Sequence, residues 1–221
     1  MPIALKLRED PAPSIARLAG LVVERELLAA PMAALQGRVE KDISDRFALG
    51  HRAYVARMHG VAAAWGWVAT SSAAVGELGT VFSIGNRERY LWNFVTRAEF
   101  RGMGINPRLI NSIVDAELAD ADRFWIAYAP ENHASGSGIG KAGFTTIAEM
   151  SFDRSGHPAL RAIDPSDHRV ANASTLTGIP SIEDALAQCW RCVRLGRTLE
   201  RSCAPGKCSC DYRKPEQHCA A

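Results

Sequence analysis

The chain has 221 residues, enough for one sizeable core with an appendage. Its 26 basic and 24 acidic residues leave a net charge of +2, too little to imply nucleic acid or an anionic membrane as a partner. No apolar run approaches the roughly 20 residues of a membrane helix, and "MPIALKLREDPAP" lacks the basic-then-apolar pattern of a secretory signal, so a cytoplasmic location is the default expectation.

In chain order, "PSIARLAGLVVERELLAAPMAAL" has helical composition with Pro31 as an interruption. "RAYVARMHGVAAAWGWVAT" reads as two strands around a turn at His59-Gly60, because Tyr54, Val55, Val61, Trp65, Trp67 and Val68 suit a pleated surface. "SSAAVGELGTVFSIGNRE" is a connection with weak strand content, and "RYLWNFVT" is a further strand. A helix beginning near Asn106 follows, then the strand "RFWIAYAP", the glycine-broken helical turn "NHASGSGIGKAGF" and the strand "TTIAEMSF". This order predicts an α/β (α+β) fold with a mixed sheet. The polar stretch "DRSGHPALRAIDPSDHRVANASTLTGIPS" reads as a linker or poorly structured extension, and "IEDALAQCWRCVRLGRTLERSC" is helical again. The expected division is a domain over 1–153, an extension over 154–181, and a helix with a cysteine-rich tail over 182–221.

"EFRGMGINPRLINSIVDAEL" places flexible backbone directly before the clearest helix. Asn106 suits an N-cap and Pro107 the first helical position. Leu109, Ile110, Ile113, Val114 and Leu118 form one apolar face. Gly102 and Gly104 sit immediately before the helix N-terminus, where free amides and the helix dipole favour an anion, and Arg101 adds a permanent charge. A glycine-rich turn with a solvated arginine is the plain alternative. The pattern is neither a Walker loop nor a dinucleotide fingerprint.

These residues resemble a known family. "FRGMGINPRLI" is similar to the acyl-CoA pyrophosphate loop of the GCN5-related N-acetyltransferases (GNAT), whose pattern is Arg/Gln-x-x-Gly-x-Gly/Ala. Arg101 and Gly104 match; Asn106 replaces the final small residue and Pro107 removes the next amide. A second motif of the family, Asn-x-x-Ser followed by Lys-x-Gly-Phe, is matched by Asn132, Ser135, Lys141, Gly143 and Phe144. The resemblance covers roughly Ile3 to Phe152 and does not reach the cysteines.

The resemblance implies a mixed, mostly antiparallel sheet flanked by helices, with two central strands splayed around the pantetheine arm of acetyl-CoA. The implied cofactor-binding residues are the strand backbone of Phe94, Val95 and Thr96, the loop Arg101, Gly102, Met103, Gly104, Ile105 and Asn106, and Asn132, whose alternative role is a turn or cap. The implied reaction is direct acyl transfer to a small-molecule or peptide amine, whose pocket would lie between the N-terminal helices and the loop from Gly76 to Arg89. In that loop Arg87, Glu88 and Arg89 are either acceptor contacts or solvated surface. Catalytic residues are not legible: the family's Tyr and Glu positions hold Ile139 and Ala127, and Tyr128, His133 and Ser137 are the polar side chains nearby. The stretch from Met1 to Gln188 has no cysteine, which disfavours a covalent thiol intermediate. A homodimer is compatible with the sequence, which does not specify an oligomeric state.

All the cysteines fall between Cys189 and Cys219. Cys203, Cys208, Cys210, His218 and Cys219 offer soft thiolates and an imidazole suited to zinc, though in no common finger spacing. A disordered tail and an iron–sulfur cluster are the alternatives. Cys189 and Cys192 lie one helical turn apart, as extra ligands or as part of an apolar stripe. The second functional reading is accordingly a degenerate acyl-CoA-binding domain whose metal-dependent tail, with Arg191, Arg194, Arg197 and Arg201 on its helix, binds a partner or nucleic acid.

Overall fold

The computed structural model describes residues 1–153, 155–183 and 185. Ten strands and five helices follow one another along them. They are β1 (Pro2–Leu7), β2 (Leu21–Glu26), α1 (Ala29–Gln36), α2 (Glu40–Ala48), β3 (Arg52–Met58), β4 (Val61–Ala69), β5 (Ser72–Val75), β6 (Thr80–Ser83), β7 (Glu88–Thr96), α3 (Ile105–Glu117), β8 (Arg123–Ala127), α4 (His133–Lys141), β9 (Thr145–Phe152), β10 (Pro158–Ala162) and α5 (Arg169–Thr177). Eight strands form one sheet in the order β10-β9-β1-β8-β7-β4-β3-β2, and β5 and β6 pair as a separate hairpin. Within the large sheet every pairing is antiparallel except β7 with β8. This is the expected mixed, mostly antiparallel architecture.

The β3–β4 hairpin turns at His59-Gly60 as expected. Both residues have positive φ, 48° and 82°, the twist a two-residue hairpin needs. Alternation then sends β3 side chains to two layers. Tyr54 and Ala56 join the core beneath α3 and α4, while Ala53 and Val55 face α1 and α2. The anticipated apolar face of α3 is buried: Leu109, Ile110 and Ile113 are inaccessible, Val114 nearly so, and Leu118 packs against the same cluster. Full burial of each such side chain contributes about 1.5–3 kcal/mol, so this face holds the helix to the sheet. On the same sheet face as α1 and α2, α5 and the β5–β6 hairpin pack over β1, β8, β9 and β10 through Val75, Phe82, Tyr90, Trp125, Leu160 and Leu176.

Several expectations are corrected. "LVVERE", read within a helix, is β2, because its alternating exposure lets it pair with the edge of β3. Pro31 does not interrupt a helix; it is the third residue of α1, where its missing N–H has no intrahelical acceptor to lose. The run "PIALKL" is a central strand, β1, with Ile3, Ala4 and Leu5 inaccessible between β8 and β9. The helix α2 was not anticipated. The segment 154–181 carries β10, which pairs with β9, and α5, whose Val170, Ala173 and Leu176 are buried. It is therefore packed structure along most of its length, not a loose linker. The tail helix and the proposed ligands Cys203, Cys208, Cys210, His218 and Cys219 lie outside the described residues, among which no group of His, Cys, Asp or Glu could hold a metal. No helix among the described residues is long and apolar enough to cross a membrane.

The C-terminal end of α3 is held by a buried ionic network. Glu117, 1% exposed, accepts hydrogen bonds from Arg52, Tyr54 and Arg89, the last two at 2.6 and 2.7 Å. Arg89 is thus not a solvated residue of a surface charge run. Arg87 pairs with Asp122 and Glu88 with Arg123, so the run clasps the N-terminal end of β7 to its neighbours.

Candidate acyl-CoA and acceptor site

The strand β7 stays in register with β8 only from Glu88↔Arg123 to Leu91↔Ile126. Beyond that pair the two parallel strands part, and the β7 edge from Trp92 to Thr96 has no strand beside it on the β8 side. A bulge lies at the same place. Trp67 pairs with Trp92 and Trp65 with Val95, so Asn93 and Phe94 together oppose Gly66. Asn93 takes φ 53°, a left-handed conformation that asparagine tolerates. The extra residue resets the alternation. Phe94 packs with the α3 side of the sheet, while Trp92 and Val95 pack with the α1–α2 side. The residues anticipated as the pantetheine rail, Phe94, Val95 and Thr96, are therefore on the unpaired edge.

Gly66 makes room for this bulge. A Cβ there would come within 2.3 Å of the Phe94 ring. We expect Gly66→Ala to cost about 1–3 kcal/mol in urea denaturation, the scale of overpacking a filled core. An unchanged midpoint would show that the ring moves aside freely.

After β7 a short helical turn, Ala98–Phe100, leads into the glycine loop. Gly102 and Gly104 have φ of 80° and 70°, conformations that side chains with a Cβ rarely take. Among the described residues the amides of Gly102, Met103 and Gly104 donate no hydrogen bond. Arg101 Nε donates to the Thr96 carbonyl at 3.2 Å, tying the loop to the end of β7. The N-cap of α3 is Gly104, not Asn106 as expected. Asn106 and Pro107 are its second and third residues. The proline is still tolerated, because the first-turn amides have no intrahelical acceptor. Asn106 instead faces α4: its Nδ2 lies 3.1 Å from where a Cβ of Gly138 would stand, so that glycine lets the two helices approach.

Asn132 caps α4, its side-chain oxygen accepting from the Ser135 amide at 3.1 Å. The cap lies beyond the C-terminal end of β8, the end at which β7 and β8 diverge. The other polar candidates differ in setting. Tyr128 is half-buried, with its hydroxyl 3.2 Å from Thr146 Oγ1, whereas His133 and Ser137 are exposed. Ile139 is 2% exposed within the core, and Ala127 is half-buried. These two positions supply no proton carrier.

Sequence reasoning missed a group on the opposite sheet face. The Arg46 guanidinium lies 4.9 Å from the Trp67 ring centroid and 4.7 Å from that of Trp92. His51 meets Trp92 edge-on at 5.3 Å. Burial, and then the nearby Arg46 charge, lower the His51 pKa. The spacing of Trp65, Trp67 and Trp92 on strands was a usable signal, but α2, which brings Arg46 to them, was not recognised.

No protein-family model matches the chain, and no curated protein matches it in sequence. Among solved structures it is similar to a GCN5-related N-acetyltransferase from Kribbella flavida, at 14% identity and a TM-score of 0.44, with 66% of this chain and 53% of that chain covered. It is similar to a putative acetyltransferase of the GNAT family from Novosphingobium aromaticivorans at 20% identity and a TM-score of 0.45, with 66% and 59% covered. A putative acetyltransferase from Salmonella typhimurium with its cofactor acetyl-CoA is similar at 14% identity and a TM-score of 0.45, with 62% and 85% covered. The chain thus spans less than two thirds of the first two of these proteins.

Proposed function

We propose that the chain is an acyl-CoA-dependent N-acyltransferase of the GNAT type, most simply an acetyltransferase, acting on an amine. The observation that carries this reading is the parting of β7 and β8 after Leu91 and Ile126, beside a loop of undonated amides at the α3 N-terminus. The residues fit the donor: Gly102, Met103 and Gly104 offer backbone N–H groups without Cβ obstruction at the two glycines, and Arg101 offers charge to a pyrophosphate. The open edge of Phe94, Val95 and Thr96 offers backbone partners to the amide groups of a pantetheine arm, and Asn132 stands at the same end of the sheet. Acetyl-CoA supplies an electrophilic thioester carbonyl when bound. In the net reaction the amine nitrogen forms a bond to the acyl carbon, the carbon–sulfur bond breaks with its electron pair going to sulfur, the nitrogen loses a proton and the thiolate gains one. The protein's contribution is orientation of the two reactants.

Release of free CoA from acetyl-CoA with a panel of amines tests the reading. Amine-dependent release is expected. Binding of acetyl-CoA with no release for any amine would instead favour the degenerate acyl-CoA-binding reading, which the apolar Ile139 and Ala127 motivate.

Transfer is direct. The 188 residues from Met1 to Gln188 contain no cysteine to carry the acyl group. Initial-velocity patterns should intersect, as for a ternary complex, and the intact mass should be unchanged by acetyl-CoA alone. Parallel lines, or a mass increase of one acetyl group, would overturn direct transfer.

A further inference from the structure

On the sheet face opposite α3, a set of buried nitrogens has no hydrogen-bond partner among the described residues. They are Gln36 Nε2, Arg46 Nη1, His51 Nδ1 and the indole Nε1 of Trp65, Trp67 and Trp92. Trp67 is inaccessible and Trp65 is 9% exposed, while Gln36, Arg46, His51 and Trp92 are half-buried. An indole N–H can only donate, and so can a guanidinium and an amide NH₂; the neutral imidazole can donate from one nitrogen. Folded interiors seldom leave one buried donor unpaired, and here several share one cluster. What they lack is an acceptor.

The place is informative as well. Trp92 is the first residue of β7 beyond its last pair with β8, so the cluster borders the root of the divergence. It lies on the α1–α2 side, whereas the glycine loop opens α3 on the other side. A donor laid through the gap would have its phosphates at one face and its reacting end toward the other. The charge here is modest. The Arg46 guanidinium lies against two indoles whose centroids are 6.1 Å apart, and the neighbouring charges acting on it are Arg38 and Asp42. One guanidinium surrounded by neutral donors suits a singly charged, planar acceptor group better than a phosphate dianion.

We propose that this cluster binds the carboxylate of the acyl acceptor, so that the substrate class is an amine that also bears a carboxylate, such as an amino acid. Arg46 supplies the counter-charge, and the Trp65, Trp67 and Trp92 indoles with His51 supply hydrogen-bond donors. This assignment rests on the acyltransferase reading for the role of the amine but not for the carboxylate.

The test pairs α-, β- and γ-amino acids with their carboxamides, in binding followed by tryptophan fluorescence and in acetyl-CoA-dependent release of CoA. Carboxylates should bind saturably, and their carboxamides should bind about tenfold more weakly or worse, the scale of a lost charge-assisted pair. Arg46→Gln should erase the difference, and Arg46→Lys, which keeps the charge, should retain part of it. If Arg46→Gln does not fold, the wild-type pairs decide alone. Equal binding of acids and amides, or saturable binding of no acid, overturns the carboxylate site. Release of CoA with amines and their carboxylate analogues at equal KM overturns the substrate class and leaves the acyltransferase standing. A carboxylate preference in binding, with neither thermal stabilisation by acetyl-CoA nor CoA release, supports the site and overturns the acyltransferase.

Discussion

Gly104→Asp is expected to abolish the stabilisation of the protein by acetyl-CoA while leaving it folded. At a hundredfold excess over Kd the wild type should gain about 2.7 kcal/mol from bound ligand. Gly104 has φ 70°, and a Cβ there would stand 2.5 Å from Arg108 Nη1. That guanidinium donates to the Gly104 carbonyl at 2.7 Å and to Ala16 O at 2.9 Å, but it is the far end of a flexible side chain and can move. Aspartate is among the few residues that visit the left-handed region, at a cost of about 1–2 kcal/mol. The fold should therefore survive, and the larger consequence falls on the ligand: a carboxylate is set among the amides that would receive phosphate oxygens. Gly104→Ala, with strain but no charge, should keep part of the shift. A Gly104→Asp protein whose melting temperature rises with acetyl-CoA as the wild type's does would mean that phosphate is bound elsewhere.

Glu117→Gln should be the most destabilising single change of those considered, by about 3–5 kcal/mol in denaturant unfolding, because it removes the buried carboxylate 2.7 Å from Arg89 and leaves only the exposed Asp120 at 3.9 Å as counter-charge. Burial opposes ionisation of Glu117, but the hydrogen bonds from Arg52, Tyr54 and Arg89 outweigh it and hold its pKa below the ordinary glutamate value. A depressed carboxylate pKa gives stability that is complete above the unfolded pKa and is lost as pH falls through the folded one. The gap between wild type and variant should thus be widest near neutrality and should narrow below about pH 4.5, the ordinary glutamate value. Tyr54→Phe, which removes one neutral donor at 2.6 Å, should cost only about 1–1.5 kcal/mol. A gap that stays constant with pH would show that Glu117 acts through packing alone.

Some of the site was legible in one dimension because its signals are local. The His59-Gly60 turn, the aromatic strand over Tyr90 to Thr96, and the apolar face of α3 each follow from periodicity and turn chemistry within a dozen residues. The glycine loop was likewise readable, since positive φ at Gly102 and Gly104 is a property that residue type alone permits. The capping residue was not. Asn106 has the right chemistry for an N-cap, yet the helix starts two residues earlier from a left-handed Gly104, and Asn106 is turned to the packing of α3 against Gly138 of α4.

What the sequence determined by itself was the alternation of strands and helices from β3 to β9 and the anion-ready backbone before α3, for these depend on neighbouring residues. The tertiary structure decided the rest. "PIALKL" became a central strand and "LVVERE" an edge strand only because partners more than twenty residues away offered open hydrogen-bonding edges, and short apolar runs carry no period that distinguishes strand from helix. The same holds for chemistry. Arg46 on α2, His51 just before β3 and Trp92 on β7 are separated along the chain, and the guanidinium and imidazole meet the indole only after α2 folds over β4 and β7. A shared buried surface is a property of the folded sheet, and no spacing along the chain encodes it.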